Sequence, residues 1–221
     1  DNGDYALSFD GVDDYVEFPV NQDFAFGNSD HTIMTNVYLS ELNDNVYNYL
    51  VAIGNNNTGQ QSSLGVTNDG NIFISGFGNP IVVSDVSLDL NKWLHLTMTY
   101  NASQNIADLY IDGMLKSSES ITLNSTVGKL FFNSSVELGS GNDLDKKMDN
   151  TIILNKYISQ EEVNMYLNNE FTNDGVLGHW SFNSGSGDIL YDHSGNQNHG
   201  TINGATWSTD VPVLGCTDPY A

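Results

Sequence analysis

The chain contains no arginine. Its 221 residues carry 28 aspartates and glutamates against 6 basic residues, all of them lysine, for a formal net charge of -22. Nucleic-acid binding depends on Lys and Arg neutralising phosphates, so nucleic acid is excluded as a partner, and attraction to an anionic membrane fails for the same reason. The planar guanidinium fork that recognises carboxylate or sulfate bidentately is missing as well. Any anionic ligand would have to be met by backbone amides, lysine or a bound cation.

Cysteine is nearly absent: Cys216 stands alone, so no internal disulfide can form. Proline occurs four times, twice after residue 208. No apolar run approaches the ~20 residues that cross a bilayer, and the opening "DNGDYALSF" lacks the pattern of a signal peptide. The sequence therefore reads as a module excised from something longer.

What is present is the composition of a folded domain, 39% hydrophobic and 11% aromatic. Short runs of alternating apolar and polar residues recur with turn residues between them, which predicts an all-β sandwich. They include "YALSF" (5–9), "YVEFP" (15–19), "HTIMTNVYL" (31–39), "KWLHLTMTYN" (92–101), "ADLYIDGMLKSS" (107–118), "KLFFNS" (129–134) and "VELGS" (136–140). Asn68-Asp69-Gly70 and Asp112-Gly113 are hairpin turn signals. One helix interrupts the series: Ser159 followed by Glu162 forms a capping box, and Val163, Tyr166 and Leu167 recur at helical spacing. It is expected to lie on the sandwich edge. No internal repeat is visible, so residues 1–208 form one domain and 209–221, "TDVPVLGCTDPYA", a linker leading into another module.

The stretch "YDHSGNQNHG" (191–200) contains no aliphatic side chain. Asp, Asn and Gly together offer carboxylate, amide and backbone oxygens on a chain that turns sharply, which suits calcium. His193 and His199 also permit zinc, although a third nitrogen or sulfur ligand is lacking. The same residues are those of an ordinary tight turn.

Taken in order, "LSFDGVDDYVEFP", "KWLHLTMTYN", "ADLYIDGML", "KKMDNTIILNKYISQEEV" and "GHWSFNSGSGDILYDHSGNQNHGTINGATWSTDVP" resemble the laminin-G-like, concanavalin A-like jelly-roll modules of secreted bacterial proteins. The resemblance implies an all-β sandwich of two antiparallel sheets with one short surface helix. The tail "GCTDPYA" is similar to the start of Cys-containing linker repeats in surface proteins of the Bacteroidetes type, which would pair Cys216 with a cysteine beyond residue 221. Two positions depart from the family pattern: Asn36 stands where Trp is usual, and Asn150 follows Asp149 where Glu is usual.

The resemblance also implies a structural calcium site in which the "DGVDD" and "DHSGNQN" loops meet. Asp14 and Asp192 would supply carboxylates, Asn198 an amide oxygen and Asn196 a backbone carbonyl, with Asp10, Asp13 and Asp149 as further candidates. No Glu-x-Asp-x-(x)-Glu strand of the fold's glucanases and no nucleophile elbow is present, so the chain is expected not to be an enzyme. The expected function is a non-catalytic, calcium-binding module of a secreted or cell-surface protein that binds glycan. Tyr47, Tyr49, Phe77, Asn79, Asn142 and Asp143 are the candidate ligand residues, because sugar sites combine aromatic faces with Asn and Asp hydrogen-bonding groups. The alternative is a structural or adhesive spacer in which calcium only stabilises; His95, within an alternating strand, is expected to be internally satisfied.

Overall fold

The computed structural model describes residues 4–76, 78, 80–135, 144–170 and 172–212. In chain order the strands are β1 (Ala6–Asp10), β2 (Tyr15–Glu17), β3 (His31–Leu39), β4 (Tyr47–Gly54), β5 (Gln61–Thr67), β6 (Asn71–Ser75), β7 (Pro80–Ser87), β8 (Trp93–Asn101), β9 (Ile106–Ile111) and β10 (Met114–Ser120). After them come β11 (Leu130–Phe132), β12 (Asp145–Leu154), helix α1 (Gln160–Leu167), β13 (Val176–Trp180), β14 (Ile189–Leu190), β15 (Gly200–Asn203) and β16 (Thr206–Ser208). They form two sheets with antiparallel pairing. The first runs β10-β9-β8-β3-β12-β1-β16, with β13 also paired to β12; the second runs β14-β15-β2-β11-β4-β5-β6-β7.

Alternation explains the two layers, because successive strand residues face opposite sides. Ile33, Val37 and Leu39 of β3 and Leu94, Leu96, Met98 and Tyr100 of β8 point inward from the first sheet. Val16, Val51, Ile53, Leu64, Val66, Ile72, Ile74, Leu130 and Phe132 meet them from the second. Both predicted hairpin signals are turns: Gly70 at φ 77° closes β5 to β6, and Asp112 and Gly113 at φ 48° and 74° close β9 to β10.

The capping box forms as expected, with the Ser159 side chain and the Glu162 carboxylate each accepting the other's backbone N–H. The helix does not lie on the edge, however. Val163 and Tyr166 pack with Met34, Tyr110, Ile152 and Leu154, residues on the outward side of the first sheet, so α1 covers that sheet's face. An amphipathic helix buries its apolar stripe where apolar surface is on offer, and the outward side of these strands supplies it. The expected strand "VELGS" (136–140) lies outside the described residues.

Candidate functional site

The β1–β2 turn concentrates carboxylates. Gly11 adopts φ 76°, the Asp10 carboxylate accepts the Val12 N–H at 2.9 Å, and the Asp14 carboxylate accepts the Asp10 N–H at 2.8 Å. Ligand oxygens of Asp10, Asp13 and Asp14 lie within 4.8 Å of one another. Asp14 is buried, and its carboxyl is raised above the usual range by desolvation, with the charges of Asp10 and Asp13 adding to the shift. None of the ion pairs among the described residues reaches these three acids.

Two neighbours complete the setting. The Asn133 amide donates to the Asp14 main-chain carbonyl at 2.7 Å, while its own Oδ1 is buried without a hydrogen-bond partner. On the other side Gly204 has φ 80°, and a Cβ there would overlap the Asp14 carboxylate, so only glycine lets the β15–β16 turn approach it. An oxygen-only, negatively charged and uncompensated cluster with an orphaned carbonyl oxygen beside it fits a hard cation such as calcium, whose ligands are oxygens in irregular geometry.

The loop 191–199 has a different job. The two carboxylate oxygens of Asp192 accept the backbone N–H groups of His179, Ser194 and Asn198 at 2.8–2.9 Å and the Ser194 hydroxyl at 2.8 Å. Asn198 donates to the Leu177 carbonyl at 2.8 Å and accepts from the Asn21 side chain at 2.8 Å, and its carbonyl accepts the Trp180 indole N–H at 2.8 Å. The Asn196 side chain donates to the Val176 and Leu177 carbonyls. These contacts hold the turn to β13.

Strand register keeps the two loops apart. Asn203 pairs with Tyr15 and Thr201 with Glu17, so the residue before β2, Asp14, meets the β15–β16 turn, while the loop before β15 lies at the far end of the pair, next to Asn21. The expected meeting of the "DGVDD" and "DHSGNQN" loops does not occur: Asp10, Asp13 and Asp14 are brought together, and Asp192, Asn196 and Asn198 are not among them.

Asp149 is also elsewhere. It pairs with Asn36 at a bulge in β12, four residues along the strand from the Asp145 that faces Asp10. Burial pushes its carboxyl up to about 7; the charge of Asp4 adds to this, and the Asn150 N–H and the Asn36 side chain oppose it. Asn36 continues the row by a 2.8 Å contact to Nδ1 of His95, whose Nε2 meets the Thr97 hydroxyl at 3.0 Å. His95 is thus satisfied within its sheet, and burial holds its imidazole down at about 4.

The outward face of the second sheet carries a continuous aromatic row. Tyr15 of β2 lies 6.3 Å from Phe131 of β11; Phe131 packs on Ala52 of β4, with Tyr15 and Tyr49 against the pair. Tyr49 and Tyr47 then meet the ring of Phe73 of β6 edge-on at 5.3 and 5.1 Å. Phe73 lies flat over Gly65 of β5, where a Cβ would overlap its ring. Tyr47 is exposed and Tyr15 and Tyr49 half-buried. The candidates Phe77, Asn79, Asn142 and Asp143 lie outside the described residues.

Residues 10–164 match the family model described as the concanavalin A-like lectin/glucanases superfamily, in its laminin G form. The chain belongs to that superfamily. Among solved structures this superfamily member is similar to a proposed carbohydrate-binding protein from Bacteroides ovatus ATCC 8483, with TM-score 0.71 and 14% identity, covering 95% of this chain and 61% of that one. It is similar also to the heptameric SAP-like pentraxin of Limulus polyphemus, with TM-score 0.54, 13% identity and coverage of 74% and 81%. A third is a Trypanosoma rangeli sialidase, with TM-score 0.57, 18% identity and coverage of 75% and 28%. At these identities the likeness is one of fold. The superfamily chain thus spans less than two thirds of the Bacteroides ovatus protein and a small part of the sialidase. No curated protein matches it in sequence.

Sequence reading found Tyr47 and Tyr49 but missed Tyr15, Phe73 and Phe131. The usable signal was period two: each sits at the position in its strand that alternates with inward residues such as Val16, Ile72, Ile74, Leu130 and Phe132.

Proposed function

We propose that this concanavalin A-like domain is a non-catalytic glycan-binding module of an extracellular or cell-surface protein, with calcium bound structurally by Asp10, Asp13 and Asp14. The observation that carries the reading is the row Tyr15–Phe131–Tyr49–Phe73–Tyr47, a set of ring faces and phenol groups on one sheet surface, the chemistry by which pyranose rings are held. The fold of the proposed carbohydrate-binding protein from Bacteroides ovatus supports it. A non-catalytic role is supported by the five strands of the row, β2, β4, β5, β6 and β11, which contain one carboxylate, Glu17, where glycoside hydrolysis needs two. Among the described residues no helix is long and apolar enough to cross a membrane.

Tyr47 is the residue to test first, since it is exposed and its loss leaves the core intact. Tyr47→Ala is expected to weaken glycan binding about tenfold, the loss of one stacked ring, with the melting temperature little changed. Isothermal titration against whichever polysaccharide a broad array selects checks this; unchanged affinity would remove Tyr47 from the site, and an array with no hit would leave the spacer role.

Calcium is tested separately by thermal melts in EDTA and in added calcium. At a hundredfold excess over Kd a single site adds about 2.7 kcal/mol. Asp14→Ala is expected to abolish the calcium-dependent rise, whereas Asp192→Ala is expected to lower stability equally with and without calcium, because Asp192 is engaged by its own loop. A calcium response lost in the Asp192 variant and kept in the Asp14 variant would move the metal to the later loop.

A further inference from the structure

We infer that the aromatic row takes an internal stretch of an uncharged polysaccharide and discriminates against uronate, sialate and sulfated sugars. This rests on the glycan-binding reading above and adds the ligand's class to it.

The disposition of the six lysines carries the argument. Lys92 is paired with Asp89 and Asp112, Lys156 with Glu162 and Asp174, and Lys147 with Asp210. Lys146 is fully buried. Lys116 sits on β10 in the opposite sheet. That leaves Lys129, two residues before Phe131, as the one lysine adjoining the strands of the row.

Opposed to it on the same surface stand Glu17, in register with Phe131, and the Asp10–Asp13–Asp14 turn immediately before Tyr15. A lone ammonium meets an anion as a point charge, and the chain has no guanidinium for bidentate capture. With the field of a -22 chain behind it, the surface repels anionic chains and leaves ring stacking and neutral hydrogen bonds as the means of recognition. The sialidase of similar fold therefore gives no guide to the ligand here.

The length of the row sets the second half of the claim. It crosses β2, β11, β4, β5 and β6 as neighbours, four inter-strand spacings or about 19 Å. Rings are distributed along this whole width, with Ala52 and Gly65 as the low points between them. A single terminal sugar would use one end of such a surface; a run of sugar rings uses all of it.

The experiment is affinity electrophoresis of the full chain in calcium buffer at physiological salt. Neutral soluble polysaccharides (β-glucans, xylans, mannans) are compared with anionic ones (alginate, polygalacturonate, carrageenan, polysialic acid), and oligosaccharides of the strongest hit are then titrated by calorimetry. Retardation is expected in at least one neutral gel, absent from the anionic gels, and reduced in Tyr47→Ala. The tetrasaccharide is expected to bind about tenfold more tightly than the disaccharide, as further rings engage. Preferential retardation by an anionic polysaccharide would overturn the charge claim while leaving glycan binding standing, and equal affinity for di- and tetrasaccharide would overturn the extended site. No retardation in any gel would overturn the glycan reading itself, and this inference with it.

Discussion

Trp180→Ala is expected to cost about 3–5 kcal/mol of folding stability, the range for truncating a fully buried large aromatic. For a chain of this size that corresponds to a fall in melting temperature on the order of 10 °C. Trp180 ends β13 at the centre of the core's aromatic cluster, with ring centroids 4.9 Å from Phe18, 5.1 Å from Phe132 and 6.4 Å from Phe24. Phe18 and Phe132 belong to the second sheet and β13 to the first, so this ring joins the two layers. It has a second role through its indole N–H, which donates to the Asn198 carbonyl and so ties the 191–199 loop to the core.

Trp180→Phe separates the two roles. It keeps most of the apolar contact and deletes the hydrogen bond, leaving a buried carbonyl unsatisfied, and is expected to cost about 1–3 kcal/mol. Both values are read from urea unfolding monitored by circular dichroism. A Trp180→Ala cost below that of Trp180→Phe would mean that the cavity collapses freely and that the layers are held elsewhere.

The two-sheet architecture was legible because alternation is a local signal: each strand declares its buried face within five to nine residues, and Asn68-Asp69-Gly70 and Asp112-Gly113 declare the turns between them. The helix was equally plain from Ser159 and Glu162. What lies next to what is another matter. Placing Asp14 beside Asp192 required the register of β2 against β15, and nothing within either strand states that Tyr15 faces Asn203. The acidic turn was readable as three carboxylates in five residues, but not that its neighbours are Gly204 and Asn133.

The same reasoning accounts for α1, whose cap and stripe were visible while the surface it covers was contributed by β3, β9 and β12. The aromatic row was half legible for a related reason. Its rings come from four strands spread over more than a hundred residues of sequence, and they become neighbours only through the order β2-β11-β4-β5-β6.

Lys146→Met is expected to stabilise the domain by about 1–4 kcal/mol, the gain found when buried charge is replaced by apolar side chains of similar volume. Lys146 and Lys147 are adjacent on β12 and so face opposite ways. Lys147 points outward, lies 4.6 Å over the ring of Tyr38 and pairs with Asp210. Lys146 points inward between Phe9 of β1 and Leu39 of β3, fully buried, with no hydrogen-bond partner for its Nζ.

Burial pushes the Lys146 amine down to about 7, the charge of Asp145 partly opposing the shift. The sign of the pH dependence follows. Between pH 7 and about 10.5 the unfolded chain holds this proton and the folded one does not, so this group makes stability rise with pH across that window. Below pH 7 the penalty is at its full value. The advantage of Lys146→Met should therefore be greatest at pH 7 and below, and close progressively towards pH 10. Paired urea titrations of wild type and variant at pH 6, 8 and 10 read the gap directly; a variant less stable than wild type, or a gap independent of pH, would mean that the amine has a partner in solution and that its burial is compensated.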